Sequence, residues 1–211
     1  MKITKYVHSC LMVETESQNI LVDPGQFSWE SGVFDINKLE KLDVVVITHE
    51  HFDHFYEPFV QTILQKFPNV QFVSTPEVVV RLQSLGALQA CSESVEEIKI
   101  FSRQRHAQLA PLGDSPENIA VHIADALTIA GDRHDIEESR EILALPVTAP
   151  WGAMTEAAGM ALKLIPKKII PVHDWHWNDV ARRGAYDRLE AFFAEHNIVF
   201  IKPVDGQSFE V

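Results

Sequence analysis

Cysteine is scarce in this sequence, and long apolar runs are absent. Cys10 and Cys91 are the only cysteines and both lie in apolar segments, so the chain has too few thiols for a framework of disulfides. No apolar run reaches the roughly 18 residues needed to cross a bilayer, and no signal-type apolar core follows Lys2 and Lys5. We therefore expect a cytoplasmic protein without membrane association.

Basic residues are also few. The 18 Lys and Arg residues are outnumbered by 30 Asp and Glu, which gives a formal net charge of −12 at pH 7. No segment combines basic side chains with aromatic ones, as a surface that follows a nucleic-acid backbone requires. We therefore expect a small-molecule substrate and no nucleic-acid partner. The sequence leaves open whether the chain forms a homo-oligomer.

Linker-like segments and internal repeats are missing as well. With 46% apolar and 23% charged residues, the composition is that of an ordinary globular protein. A chain of 211 residues buries roughly 70% of its unfolded surface when it folds. These features exclude disorder and predict a single domain over residues 1–211.

Short β-rich runs alternate with helical patterns along the chain. Strands are predicted at 2–13, 19–22, 42–47, 70–74, 95–101, 119–124, 126–130, 142–148, 168–172 and 198–201. Helices are predicted at 57–67, 76–85, 154–164 and 179–195. Thr75 is the expected N-cap of the second helix, and Gly86 follows its end. The pattern predicts an α/β protein in which sheets pack between helices.

Histidine is concentrated in one short segment. Three of the ten His residues fall with two carboxylates in Thr48-His49-Glu50-His51-Phe52-Asp53-His54, directly after a predicted buried strand. Residues two apart in an extended segment point the same way, so His49 and His51 can ligate one ion. Asp53 and His54 continue round the turn and can serve a neighbouring ion. An exposed loop would give no reason for imidazoles that repel one another when protonated.

Further candidate ligands follow later strands. His106 comes after the strand at 95–101, Asp132 after the strand at 126–130, and His173 after the strand at 168–172. Functional groups gather at strand ends in open sheets, so we expect these side chains to complete the coordination of two ions. His122 lies inside a strand and is interpreted as a structural histidine.

The ordered set of these residues resembles the metallo-β-lactamase superfamily. The shared features are the His-x-His-x-Asp-His signature of residues 49–54, a preceding strand that ends at Asp23, and then a lone His, a Gly-Asp pair and a strand-end His. The resemblance covers nearly the whole chain. It implies a four-layer αββα sandwich with a dinuclear metal site at one edge of the two sheets.

The resemblance also implies a set of ligands. His49, His51 and His106 would hold one ion, Asp53, His54 and His173 the other, and Asp132 would bridge the two. True β-lactamases typically lack this bridging Asp, so the hydrolysis of antibiotics is not implied. The His8-Ser9-Cys10 strand and the strand that ends at His173 look most like the branch related to ascorbate-6-phosphate lactonase. Residues 151–154 and 173–176 depart from that branch, which leaves the substrate open.

The expected chemistry is hydrolysis. Two divalent cations about 3.5–4 Å apart lower the pKa of a bound water to about 7 and polarise the bond under attack, so no Ser or Cys nucleophile is needed. Mixed nitrogen and oxygen ligands suit zinc, which we favour, and also manganese or iron. Asp53 is a candidate for accepting the proton of the hydroxide, or else a ligand only. His134 is a candidate proton donor to the leaving group, or else a solvated loop histidine.

Residues around the predicted ligands have two interpretations each. Asp23 either accepts a hydrogen bond from a ligating His or forms only an Asp-Pro-Gly turn. His8 either points into the site or is a satisfied core histidine. Trp151, Trp175, Trp177 and His176 either line a substrate pocket or cover the core or a subunit interface.

The sequence therefore predicts a metal-dependent hydrolase of a small ester, lactone or phosphoester. The alternative is a module that keeps the metal site for ligand binding or sensing, without turnover. An intact seven-ligand set favours catalysis, because a binding module has little need for all seven.

Overall fold

The computed structural model describes residues Met1–Val211. The chain forms two compact units, each with a sheet and a core of its own. Unit 1 comprises Met1–Val95 and Val204–Val211, and unit 2 comprises Glu96–Pro203. The single domain expected over residues 1–211 stays a prediction.

Unit 1 is built on a seven-stranded sheet. Its strands are β1 (Lys2–Lys5), β2 (Leu11–Glu14), β3 (Asn19–Val22), β4 (Val44–Val46), β5 (Gln71–Val73), β6 (Gln89–Cys91) and β13 (Ser208–Glu210), in the order β13-β1-β2-β3-β4-β5-β6. Its helices are α1 (Gln26–Glu30), α2 (Glu57–Lys66) and α3 (Pro76–Ser84), with a 3-10 turn at Ile36–Lys38. Strands β3 to β6 are parallel, and β13, β1, β2 and β3 pair antiparallel.

Unit 2 is built on a six-stranded sheet. Its strands are β7 (Ile98–Arg105), β8 (Glu117–Ile123), β9 (Leu127–Ile129), β10 (Ile142–Pro146), β11 (Lys168–Val172) and β12 (Val199–Phe200), in the order β12-β11-β10-β9-β8-β7. Its helices are α4 (Met154–Leu164) and α5 (Asp179–Ala194). Strands β9 to β12 are parallel, whereas β8 pairs antiparallel with both β7 and β9.

Each unit encloses its own apolar core. In unit 1, Phe59 and Ile63 of α2 are fully buried in one cluster with Phe72 of β5. In unit 2, Ala157 of α4 and Phe193 of α5 are fully buried in a second cluster. Burial of one large apolar side chain stabilises the fold by about 1.5–3 kcal/mol, so these clusters hold the helices on their sheets. None of the five α-helices combines the length and hydropathy that a bilayer-spanning segment requires.

The strongest local signals agree closely with the structure. The predicted helix at 154–164 and strand at 168–172 match α4 and β11. Thr75 caps α3 by accepting a hydrogen bond from the Val78 amide at 3.3 Å, and Gly86 follows with a φ of 95°.

The strand predicted at 2–13 is wrong. It is two antiparallel strands, β1 and β2, separated by a turn in which His8 has a left-handed φ of 64°. Apolar and β-branched residues continue through this turn, so composition alone does not reveal it. The short elements β6, β13 and α1 were not predicted, because three to five residues carry too little periodicity.

Candidate metal centre

The candidate ligands of unit 1 lie at one edge of its sheet. Strands β3 and β4 are parallel, so Asp23 and the segment that begins at Thr48 leave the sheet at the same edge. Strand β2 runs antiparallel to β3, so the turn before it brings His8 to that edge too. The topology thus explains why residues distant in sequence gather here.

Asp23 organises this edge. Its Oδ1 accepts a hydrogen bond from the Thr48 amide at 2.7 Å, and its Oδ2 lies 2.8 Å from His54 Nδ1. Both Asp23 and His54 are 1% exposed. Because a carboxylate can only accept, we assign the ring proton of His54 to Nδ1, which leaves Nε2 as the nitrogen able to bind a metal. The predicted hydrogen bond that Asp23 accepts from a candidate ligand is confirmed.

His8 belongs to the same cluster. Its Nε2 lies 3.1 Å from Asp53 Oδ2, and its ring is edge-on to that of His54. His8, Asp53 and His54 each offer one ligand atom, and these atoms lie within 4.8 Å of one another. Of the two interpretations of His8, the structure supports the one that places it in the site. Two imidazoles and a carboxylate are suitable donors for zinc, manganese or iron.

His49 and His51 form a second pair in unit 1. The Nε2 of His49 lies 3.0 Å from the Nδ1 of His51, and the Nδ1 of His49 lies 3.0 Å from Thr48 Oγ1. The predicted orientation of both imidazoles to one side of the loop is confirmed. The pair presents two ring nitrogens close enough to share one ion.

Gly25 allows this loop to fold against the Asp23 turn. A Cβ at Gly25 would lie 1.7 Å from the carbonyl oxygen of Asp53. Two backbone hydrogen bonds fix the approach, from the Gln26 amide to Phe52 and from the Tyr56 amide to Pro24. The Asp-Pro-Gly segment is therefore more than a turn, since its missing side chain makes room for the ligand loop.

The candidate ligands of unit 2 also share one sheet edge. Strands β9 and β11 are parallel to β10, and β7 runs in the same direction because β8 is antiparallel to both β7 and β9. His106, Asp132 and His173, which follow β7, β9 and β11, consequently lie at the carboxyl ends of these strands.

Asp132 is the centre of the unit 2 cluster. Its Oδ2 lies 3.1 Å from His106 Nε2 and 3.0 Å from His173 Nε2, and it accepts a hydrogen bond from Trp151 Nε1 at 2.9 Å. The other ring nitrogen of His173 lies 2.7 Å from the Thr148 carbonyl, and that of His106 lies beside the Ala107 carbonyl. Carbonyls only accept, so each Nδ1 carries the ring proton.

This tautomer assignment has a chemical consequence. In the neutral imidazoles, both Nε2 atoms turn lone pairs toward a carboxylate oxygen, which is a repulsive arrangement for buried groups. A bound cation removes the repulsion, and two nitrogens with one oxygen are the donors that zinc or manganese accepts. The unit 2 cluster therefore fits a divalent metal ion.

Asn118 is a site residue that the sequence analysis missed. Its Oδ1 accepts a hydrogen bond from the Asp132 amide at 3.0 Å, and its Nδ2 donates to the Ala130 carbonyl at 3.1 Å. Gly131 between them has a φ of 62°, and a Cβ there would lie 2.1 Å from Asn118 Oδ1. Asn118 thus holds the turn that presents Asp132. The available signal was a polar amide beside an otherwise apolar run at 119–121.

Three of the eight non-glycine residues with a left-handed φ lie at the clusters. His8, Asp23 and His173 have φ values of 64°, 47° and 61°, in the left-handed region that glycine prefers. Such conformations cost about 1–3 kcal/mol each and persist where surrounding contacts enforce them. All three stand beside a strand end at the ligand edge of their own sheet.

His134, the candidate proton donor, is held by its surroundings. Its Nε2 lies 2.7 Å from the Pro146 carbonyl and therefore carries the ring proton. Burial lowers the pKa of the ring, so it stays neutral at pH 7. A Cβ at Gly152 would lie 2.7 Å from the His134 ring. This environment favours a packing role over the solvated-loop interpretation, and proton donation by His134 stays a prediction.

The aromatic residues divide between the two interpretations. Trp151 lines a pocket of about 530 Å³, which we term the unit 2 pocket. The other lining residues are Arg105, His106, Ala107, Gln108, Arg133, His134, Asp135, Glu156, Gly159, Met160 and Lys163. Trp177 packs against the unit 2 core, whereas Trp175 is 49% exposed. The His176 ring lies 5.8 Å from that of His173.

His122 is the structural histidine that the sequence indicated. It is buried in β8, stacked at 3.9 Å on Phe101, and its two ring nitrogens lie 3.1 Å from Thr128 Oγ1 and from Glu138 Oε1. Burial lowers its pKa below the ordinary value of 6.5, an effect that Glu138 opposes and that Arg140 and Lys99 reinforce.

Because His122 is buried, we expect the unfolding free energy of the protein to depend on pH. Between pH 6.5 and the lower pKa of the folded state, the unfolded chain binds more protons, so His122 stabilises the protein above pH 6.5 and loses this effect as the pH falls. We expect a flatter dependence of the unfolding free energy between pH 7 and 5 in His122→Gln, measured by urea titration. His196→Gln, which removes an exposed imidazole, should keep the wild-type slope. Equal slopes in wild type and His122→Gln would contradict the assignment.

Comparison with known proteins decides the family. A model described as "Beta-lactamase superfamily domain" matches residues 2–173. The chain belongs to the β-lactamase superfamily. A UPF0173 protein of Pyrococcus abyssi is 40% identical to this superfamily member over 222 aligned positions, which cover 100% of each chain. A UPF0173 metal-dependent hydrolase of Pyrobaculum arsenaticum is 26% identical over 195 positions, covering 82% of this chain and 84% of the relative.

A solved structure confirms the fold of this superfamily member. The metallo-β-lactamase fold protein YhfI of Bacillus subtilis superposes with a TM-score of 0.69 at 17% identity, covering 99% of this chain and 98% of the other. The predicted α/β class and metallo-β-lactamase fold are therefore confirmed, as is the superfamily. The similarity to the ascorbate-6-phosphate lactonase branch stays a prediction.

Proposed function

We propose that this superfamily member is a metal-dependent hydrolase that uses two divalent cations on a small ester, lactone or phosphoester. The observation that carries the proposal is the cluster around Asp132, where the Nε2 atoms of His106 and His173 lie 3.1 and 3.0 Å from one carboxylate oxygen. Asp53 and His54 support it as well, because they offer the same donor types and lie beside His8 within one cluster. The Pyrobaculum arsenaticum relative is itself named a metal-dependent hydrolase.

The proposed ligands are the seven residues identified from the sequence. One ion is assigned to His49, His51 and His106, the other to Asp53, His54 and His173, with Asp132 shared between them. Zinc is the favoured ion, and manganese and iron are the alternatives, since all three accept nitrogen and oxygen ligands. When bound, the ions would supply hydroxide at neutral pH and polarise the bond under attack.

The protein side chains have separate parts in this proposal. His8 donates to Asp53 Oδ2 and so orients the carboxylate that we propose as proton acceptor. Asp23 holds His54 in the tautomer that leaves Nε2 for the metal. Trp151 donates to Asp132 and restricts its rotation. Cys10 is not a candidate nucleophile, because burial raises the pKa of its thiol to about 12.

Removal of metal tests the proposal. We expect about two equivalents of metal per chain by elemental analysis, and hydrolysis of at least one member of an ester, lactone and phosphoester panel. Chelation should lower the rate by about a thousandfold, because metal stabilisation of the transition state amounts to several kcal/mol and each 1.36 kcal/mol is tenfold. Re-addition of zinc, manganese or iron should restore it.

Two results would contradict the proposal. Unchanged turnover after complete removal of metal would exclude a metal-dependent reaction. Tight binding of two ions without product from any member of the panel would favour the alternative, a binding or sensing module.

A further inference from the structure

The unit 2 pocket combines cations in a chain that is otherwise strongly acidic. Its lining includes Arg105, Arg133 and Lys163 together with the carboxylates Asp135 and Glu156. The whole chain carries a formal charge of −12, so a small anion approaching at random meets repulsion over most of the surface. A group of cations in a pocket is therefore a local exception.

The two carboxylates of the pocket already have partners. Asp135 is paired with Arg133, whose Nε lies 2.6 Å from Asp135 Oδ1. Glu156 Oε2 accepts a hydrogen bond from the Ala153 amide at 2.7 Å, where it caps the beginning of α4. Asp135 is thus matched by Arg133, and Glu156 is held at the beginning of α4, so three cations face two carboxylates in the pocket lining.

Arg105 and Lys163 are the cations that remain. The Arg105 guanidinium donates from Nη1 to the Ser115 carbonyl at 2.7 Å and has no carboxylate within ion-pair distance. Lys163 is exposed on α4 and forms no ion pair. Arginine and lysine without acidic partners in a concave site are suitable donors to a carboxylate or phosphate.

The position of the pocket connects it to the chemistry. His106 and Trp151 line the pocket, and both contact Asp132 Oδ2, at 3.1 and 2.9 Å. A ligand in the pocket therefore lies beside the unit 2 cluster, with the Trp151 ring available to pack against its apolar part.

We infer that the unit 2 pocket binds a second, anionic group of the substrate, a carboxylate or a phosphate, through Arg105 and Lys163. This inference rests on the proposed function and narrows it, since the hydrolysed bond would belong to a molecule that also carries a permanent negative charge. A neutral ester of the same size leaves both cations without an acceptor and binds less well.

The test compares substrates that differ only in this group. A set of aryl esters with a terminal methyl, carboxylate, phosphate or trimethylammonium group is offered to the metal-loaded protein. We expect kcat/KM for an anionic member to exceed that for the methyl member by about tenfold or more, and this ratio to fall about fivefold in Arg105→Gln and in Lys163→Gln. Raised salt should reduce the same ratio. Whether the carboxylate or the phosphate member gains more identifies the anion.

Lys99→Gln is the matched control. It removes one positive charge from an exposed position of β7, outside the pocket. We expect it to keep the wild-type ratio, so that an effect of net charge is separated from an effect of the pocket. Equal kcat/KM values for the methyl and anionic members, or equal falls in all three variants, would overturn the inference.

A binding experiment separates this inference from the proposed function. Inorganic phosphate and succinate are titrated into metal-free protein by calorimetry, with both pocket variants and Lys99→Gln alongside. Anion binding to the wild type that is lost in Arg105→Gln and Lys163→Gln supports the anion site. If no ester is hydrolysed in that case, the proposed function is contradicted and the anion site is not. If esters are hydrolysed without a preference for anionic members, and no anion binds, the pocket assignment is overturned. The proposed hydrolase function is then still supported.

Discussion

Replacement of Asp132 by Ala is expected to lower kcat/KM by about a thousandfold or more and to remove metal from the purified protein. The carboxylate is 2% exposed, and its Oδ2 is the atom that His106, His173 and Trp151 all face. Without it, the Trp151 indole N–H loses its acceptor, and the proposed shared ligand is gone. Replacement of this one residue should therefore weaken the binding of both ions.

Elemental analysis and kinetics on the same preparations check this result. Asp125→Asn is a suitable control, because Asp125 lies in the exposed turn between β8 and β9, at the opposite edge of the unit 2 sheet. Asparagine also tolerates the left-handed φ of 51° at that position. Full metal content and full activity in Asp132→Ala would show that Asp132 is not a ligand.

The second large effect is expected from Asp23→Asn. The Thr48 amide donates a hydrogen bond of 2.7 Å to Asp23 Oδ1, and the Oδ1 of an asparagine can still accept it. Its NH2 group would then face His54 Nδ1, which becomes an acceptor, and the ring proton moves to Nε2. A protonated Nε2 cannot bind metal, so we expect a loss of about 10- to 100-fold in the affinity of the ion assigned to His54.

Competition with a chromophoric chelator measures the affinity, and ¹⁵N chemical shifts of the His54 ring report its tautomer. Asp43→Asn serves as the control, because Asp43 accepts a backbone hydrogen bond from Asn19 at 2.8 Å at the beginning of β4, away from the ligand edge. We expect it to leave both readouts unchanged. An unaltered tautomer together with unaltered affinity in Asp23→Asn would show that Asp23 does not orient a ligand.

The dense segment from His49 to His54 could be recognised from the sequence because its residues are adjacent. Its spacing places two imidazoles on one side of a loop, and in the structure His49 Nε2 lies 3.0 Å from His51 Nδ1. The helix at 154–164 and the strand at 168–172 were equally accessible, since periodicity and turn signals bound them locally.

Contacts between distant segments were not accessible in this way. Asp23 and His54 are separated by 31 positions, and His8 and Asp53 by 45. Their pairing depends on β2 and β3 running antiparallel and on β3 and β4 running parallel. Asn118 was missed for the same reason, because its amide acquires a role only when β8 and β9 pair and bring it to Gly131.

The sequence by itself determined the superfamily, the α/β class and the identity of the candidate ligands, because these depend on residue types and on short-range spacing. Tertiary structure alone decided which ring nitrogen of His54, His106 and His173 carries the proton, since each Nδ1 faces a carboxylate or carbonyl from another part of the chain or from its own turn. It also decided that Arg105 and Lys163 line one pocket without acidic partners. Hydrogen-bond direction and local charge balance are properties of packed neighbours, and a linear sequence does not specify those neighbours.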